Sequence, residues 1–502
     1  MTELVRRLLH TSMLIALTTV LVIGCSDDDG GTDPGDPPPP PPSGDVDEKI
    51  RPILFVHDMY QAADVWNVQA QLFMQNSYEI GLMNAIDFQR YLDGGSLDVS
   101  KMANQLKARV DAIVAETGEG RVDIVAHGYG VQAVQFYLTR LSGTERAAHI
   151  VFIGGEIDGS LTTEGTPTPA PCEYMTIVSD GTAGTQGGNA SHGTMAGATN
   201  HTIAGADHMQ LVSSAETFEH MYKFFTGNDP NRADIPRPQI AYPVEVTCRV
   251  LSYIDNEPIA NAQILMYNLK FDEQFGLGSF GPETPPLVNT TTNDDGVFTA
   301  TVYSTPGKYY DIEVRHPDWN YSRTYRISYR RAPYPFERVF VLPNTTSKGS
   351  SFLHDNLINK IDKQNDFSLC ILHNPTRTFR AGRDEVTALF DVVSREPADS
   401  IEVGLNAVMP SDGAEGAVVS PNVVFLFDKG NDQQNSLAAI NDGLLSARGH
   451  SSADLYFDAT RATLSHGVSV NNSPLYFQAL RYFNNPFNAN FKGPVWIKFE
   501  LQ

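Results

Sequence analysis

Short, wholly apolar runs alternate with amphipathic stretches from Lys49 to about Asn228. Ile53-Leu54-Phe55-Val56 is a run of the kind buried on both faces of a sheet. Between 99 and 116, Met102, Leu106, Val110, Ile113 and Val114 recur at helical spacing. Val122 to Ala126 predicts a second buried strand, and Val131, Val134, Tyr137 and Leu138 predict the helix after it. Val151 to Ile153 and Met175 to Val178 predict further strands, and Thr217 to Phe225 a closing helix. This alternation predicts an α/β domain over 49–228, with a mostly parallel sheet covered on both faces.

The pattern then changes. Asp229 to Pro243 carries four prolines and reads as a linker. From Val244 the helical spacing disappears. Val244–Leu251, Gln263–Tyr267, Val297–Tyr303, Tyr310–Arg315 and Arg338–Leu342 predict strands, and Asp295-Gly296 a tight hairpin turn. Pro258 to Ala262, the later Asp-Gly and Pro306 to Tyr310 resemble the carboxypeptidase-regulatory/transthyretin-like sandwich, which assigns 244–345 to such a domain. Residues 346–502 are also β-leaning, with Val386–Val393, Ile401–Ala407, Val423–Phe427, Ala453–Phe457 and Val495–Leu501 strand-like. They hold no catalytic motif and predict an accessory β-rich domain.

The first 24 residues read as an export signal: Arg6 and Arg7, then the apolar stretch Leu8 to Ile23, which is short for a membrane span. Val22-Ile23-Gly24-Cys25 resembles the bacterial lipobox. The resemblance implies cleavage before Cys25, diacylation of its thiol and anchorage in the cell envelope, at the outer membrane or cell surface. Residues 25–48 are rich in Asp, Gly and Pro, with six prolines from Pro37 to Pro42, and form an extended stalk.

A net charge of −23 argues against nucleic acid as a partner, because phosphate binding needs an excess of Lys and Arg. Beyond Cys25 the cysteines are Cys172, Cys248 and Cys370, scattered with neither disulfide nor metal-ligand spacing. No cofactor or metal is expected.

The chemistry concentrates after the second buried strand. Val122 to Ala126 runs into His127-Gly128-Tyr129-Gly130 and then a helix, with Ala126 and Gly130 as small flanks. Strand, sharp turn and helix in this order match the nucleophile elbow G-x-S-x-G. The segment resembles that of the compact bacterial lipases of the Bacillus lipase A type, where Ala-His-Ser-Met-Gly follows a Val-Asp-Ile-Val strand. The resemblance implies an α/β-hydrolase fold and carboxylic-ester hydrolysis. It places the nucleophile at Gly128, the oxyanion-hole donors at Met59 and Tyr129, the catalytic histidine at His208 and the acid at Thr182.

Three positions depart from that pattern. Gly128 has no hydroxyl, and glycine suits the positive φ of an elbow. Asp58 stands where lipases carry glycine. Pointing inward it opposes the charge that develops in the hole; pointing to solvent it is harmless. Thr182 is no acid, and Asp180, two residues earlier, is open to two readings: an acid paired with His208, or a turn residue before Gly181. His127 is structural in the family, and His192 reads as a solvated loop residue.

Three functions stay open. The first is a catalytically degenerate envelope lipoprotein that binds an acyl, ester or polymer ligand. The second is an active ester hydrolase in which His208 and Asp180 activate water. The third is a structural envelope module.

Overall fold

The structure is a computed structural model. It describes most of residues 50–341, apart from 59–60, 89–97, most of 158–171, 181–192, 207, 235–241 and short loops of the later sheets, and only strands beyond 341. Six strands form the first sheet: β1 (Ile53–Val56), β2 (Met83–Ile86), β3 (Val122–His127), β4 (Ala147–Ile153), β5 (Glu173–Ser179) and β6 (Thr199–Ile203). Their order is β2-β1-β3-β4-β5-β6, and every neighbouring pair is parallel. The helices are α1 (Asn67–Gln75), α2 (Val99–Thr117), α3 (Gly130–Arg140), α4 (Gln210–Ser213) and α5 (Ala215–Thr226).

Strand periodicity explains why β1 is apolar throughout. Ile53 and Phe55 enter one buried cluster with Trp66, Phe73 and Phe218. Leu54 and Val56 enter the cluster on the other face with Met102, Leu106 and Val110. The strongly periodic helices also carry their own stop signals. Asp98 accepts the Lys101 N–H at the start of α2, and Gly118 ends it at φ 75. Ser214 and Gly227 do the same for α5.

Most of the expected elements are present. Additional elements include β2, whose Met-Asn-Ala-Ile has no strong pattern; the polar edge strand β6; and the helices α1 and α4.

The sandwich includes β7 (Tyr242–Ser252), β8 (Gln263–Asp272), β9 (Val288–Thr291), β10 (Val297–Ser304), β11 (Tyr310–Arg315), β12 (Arg323–Ile327) and β13 (Tyr334–Val341). β10, β7 and β13 make one sheet. β9, β8, β11 and β12 belong to the other. Between them lie Val246, Val250, Ile264, Met266, Ile312 and Val314.

The second sheet does not stop at the expected boundary. β12 pairs in parallel with Val495–Lys498, which pairs in turn with Phe367–His373. Strands of the last region therefore extend the sandwich sheet. Among the described residues no helix is long and apolar enough to cross a membrane.

The sandwich is built into the α/β domain. Phe336 of β13 is buried in the first core, its ring edge-on to Phe55 with 6.0 Å between centroids. Its backbone N–H donates to Asn67 Oδ1 at 3.0 Å. In exchange, Ala62 is buried in the sandwich core. Asp87, just after β2, accepts from Arg338 at 3.0 Å and from Arg249 at 2.8 Å.

Candidate active site

β3 delivers His127 to the top of the sheet, and Gly128 makes the turn into α3 at φ 52, a region L side chains rarely adopt. A Cβ at Gly130 would come within 2.5 Å of the His57 carbonyl oxygen, so a glycine there lets α3 begin against the end of β1. This is the strand–turn–helix elbow expected from the sequence.

The elbow is occupied. Asp58, on the loop after β1, turns inward and is only 8% exposed. A Cβ placed on Gly128 would lie within 2.6 Å of Asp58 Cγ, Oδ1 and Oδ2. The carboxylate thus fills the volume a side chain at 128 would need. Its Oδ1 accepts the Tyr129 N–H, the expected oxyanion-hole donor. Its Oδ2 lies 2.9 Å from His208 Nε2. The reading in which Asp58 points to solvent is corrected here: two donors and a vacant volume draw it inward.

His208, buried at 7% exposure, packs against His127 with the rings tilted by 33° and their centroids 4.1 Å apart. His127 Nε2 faces the His208 carbonyl oxygen at 3.1 Å, and Nδ1 faces Gln61 Oε1 at 3.2 Å. Burial and the neighbouring His208 hold the His127 pKa well below the ordinary range, against the pull of Asp58. Burial alone would raise the Asp58 pKa. The hydrogen bond and charge of His208, the charge of His127 and the Tyr129 N–H outweigh it and bring Asp58 to about 2. Asp58, His127 and His208 lie close enough to suggest a metal site. Both ring nitrogens of His127 already face protein oxygens, so the cluster offers a cation two ligands at most.

Asp180 is not brought to His208. Its exposed carboxylate caps the Gly205 N–H at 2.8 Å, the local turn-type role such residues favour. His208 Nδ1 is buried with no hydrogen-bond partner among the described residues. The proposed His208–Asp180 base pair is therefore not assembled. Met59, Thr182, His192 and Cys25 lie outside the described residues.

Gln61 carries no motif and was not foreseen. Its backbone N–H donates to the Asp58 carbonyl at 3.3 Å, its Oε1 accepts the Asp58 N–H at 3.1 Å, and its Nε2 reaches Met209 Sδ at 2.9 Å. Together these fix the turn that aims Asp58. His57 contributes a fourth tie. Its Nε2 accepts the Phe88 N–H at 3.0 Å, which leaves the proton on Nδ1 to donate to the Asp58 carbonyl at 2.6 Å.

The parallel six-stranded sheet with this elbow fits a lipase/esterase-like α/β-hydrolase domain, and β-rich sheets follow it. The family model for Lipase (class 2) matches residues 50–151. Among solved structures, the Bacillus licheniformis lipase BlEst2 is similar at 18% identity, over 39% of this chain and 100% of that one, with a TM-score of 0.29. The lin2722 product of Listeria innocua is similar at 12% identity, over 36% and 96%, with a TM-score of 0.27. Phospholipase PlaB from Legionella pneumophila is similar at 9% identity, over 58% and 92%, with a TM-score of 0.27. No curated protein matches.

Proposed function

We propose that this chain is a catalytically degenerate lipase/esterase-like protein, carried on an envelope lipoprotein, whose first domain binds an acyl, ester or polymer ligand without cleaving it. The observation that carries the loss of catalysis is the Asp58 carboxylate in the volume of the missing nucleophile. In a triad enzyme, removing the nucleophile alone costs roughly 10⁶ in kcat. Here the hole donor Tyr129 N–H is also spent on a fixed negative charge, so an ester carbonyl would meet repulsion where it needs donation. Binding needs only shape and apolar walls, which outlast the catalytic groups.

Purified protein is expected to leave short-chain nitrophenyl esters unhydrolysed and to resist labelling by a fluorophosphonate. Robust turnover would sink the reading and favour the ester-hydrolase alternative. A binding assay with acyl-chain ligands separates a binder from a structural module. The module reading draws its support from the sandwich residues built against the same loop that carries Asp58. Mass spectrometry of the mature N-terminus is expected to find a diacylglyceryl group on Cys25; an unmodified cysteine removes the anchor.

A further inference from the structure

The loop that carries Asp58 is held from outside its own domain. Asn256 of the sandwich is buried, at φ 53, between β7 and β8. Its Nδ2 donates to the Gln61 carbonyl at 3.0 Å and to the Phe88 carbonyl at 3.2 Å. Each contact leads to Asp58. Gln61 closes the turn on Asp58 through both its backbone and its side chain. Phe88 holds His57, which holds the Asp58 carbonyl. Ala62, next in the loop, is packed among Val250, Ile264 and other sandwich residues. Both ends of the frame around Asp58 are therefore fixed by one side chain of the sandwich.

We infer that the sandwich locks the elbow shut. Asn256 holds Gln61 and Phe88 so that Asp58 acts as a tethered carboxylate in an anion pocket made by the Tyr129 N–H and His208 Nε2. This goes beyond the loss of acyl transfer, because it assigns the sandwich a role in closing the site and names the chemistry the pocket accepts. The pocket takes a small carboxylate, and in this chain the carboxylate is its own. Removing Asp58 should open the pocket to a free one. Removing Asn256 should let the tethered one leave more often.

The test uses the full chain and two measurements. Asn256→Gly keeps the positive-φ backbone and deletes only the clamp. Hydrogen exchange over the peptide containing Tyr129 should speed up on the order of tenfold, because local opening sets that rate. Arg249→Met, which weakens the interface without touching Gln61 or Phe88, should leave it near the wild-type value. Unchanged exchange in Asn256→Gly overturns the lock, and equal acceleration in both variants reduces it to general loosening and overturns it as well. In the second measurement, formate should raise the melting temperature of Asp58→Gly saturably and leave the wild type unmoved. Equal response in both, or none in Asp58→Gly, overturns the occupied pocket. Ester turnover by the wild type would defeat the proposed function without altering either measurement.

Discussion

Two buried carboxylates stand just beyond the ends of adjacent parallel strands, Asp58 after β1 and Asp87 after β2. Both are brought to a pKa of about 2 against the penalty of burial, yet by different partners. Asp87 is held chiefly by the charges of Arg338 and Arg249, both on the sandwich. Asp58 is held by His208 and a backbone N–H, both within the α/β domain. A guanidinium keeps its charge at any ordinary pH, whereas Asp58 rests on hydrogen bonds made inside one domain. One carboxylate thus fastens two domains together; the other fills the strand–helix elbow of one of them.

The comparison is broken most forcefully at Asp87. Asp87→Ala leaves Arg338 buried without its counter-charge and should cost about 3–5 kcal/mol. Thermal unfolding of the full chain reads this directly, and a loss under 1 kcal/mol would mean that the interface does not depend on the ion pair. Gly128→Ser comes next. The side chain must share space with Asp58 and adopt a positive φ, so a loss of about 2–4 kcal/mol is expected, with no ester turnover. Adding Asp58→Gly should recover the part due to overlap. If Gly128→Ser alone proves neutral, the two positions are not coupled.

The smallest effect sharpens the contrast. Each carboxyl has a folded pKa below the ordinary 3.8, so the stability it contributes is complete above about pH 4 and is lost as pH falls through about 2. Asp58→Asn should lower stability near neutrality by about 2 kcal/mol and make the decline between pH 4 and 2 shallower by about one proton. An acid limb identical to that of the wild type would show that Asp58 is not held as an ion.

The strands and helices that pack on both sides were legible because burial writes itself into sequence period. β1 and α2 are patterned throughout, and each begins or ends at the predicted residue to within one or two positions. The edge strand β6 was not legible, since four of its five residues are not buried and Ile203 is its one apolar residue. At the site, the elbow and the positive φ of Gly128 followed from the order of elements. The direction of Asp58 did not. It depends on His208, 150 positions away, and on a volume that exists only because Gly128 lacks a side chain. The sequence contains one signal of it: a glycine stands where the resemblance implies serine, and a carboxylate where it implies glycine. In the sequence Gly128 and Asp58 read as separate departures, and the geometry brings them into one volume. Gln61 and Asn256 gave no signal: the Gln61 side-chain amide meets the Asp58 N–H and Met209, that of Asn256 meets backbone carbonyls in another domain, and neither leaves a local pattern.

The placement of Phe336 has a consequence for how the chain comes off the ribosome. Its amide is bonded to Asn67, 269 positions earlier, and its ring completes the cluster around Phe55 and Trp66. Domains usually fold in the order they are synthesised. Here the first one lacks a wall until the second has emerged, so a nascent chain halted near residue 230 would present an unfinished aromatic surface to whatever escorts it.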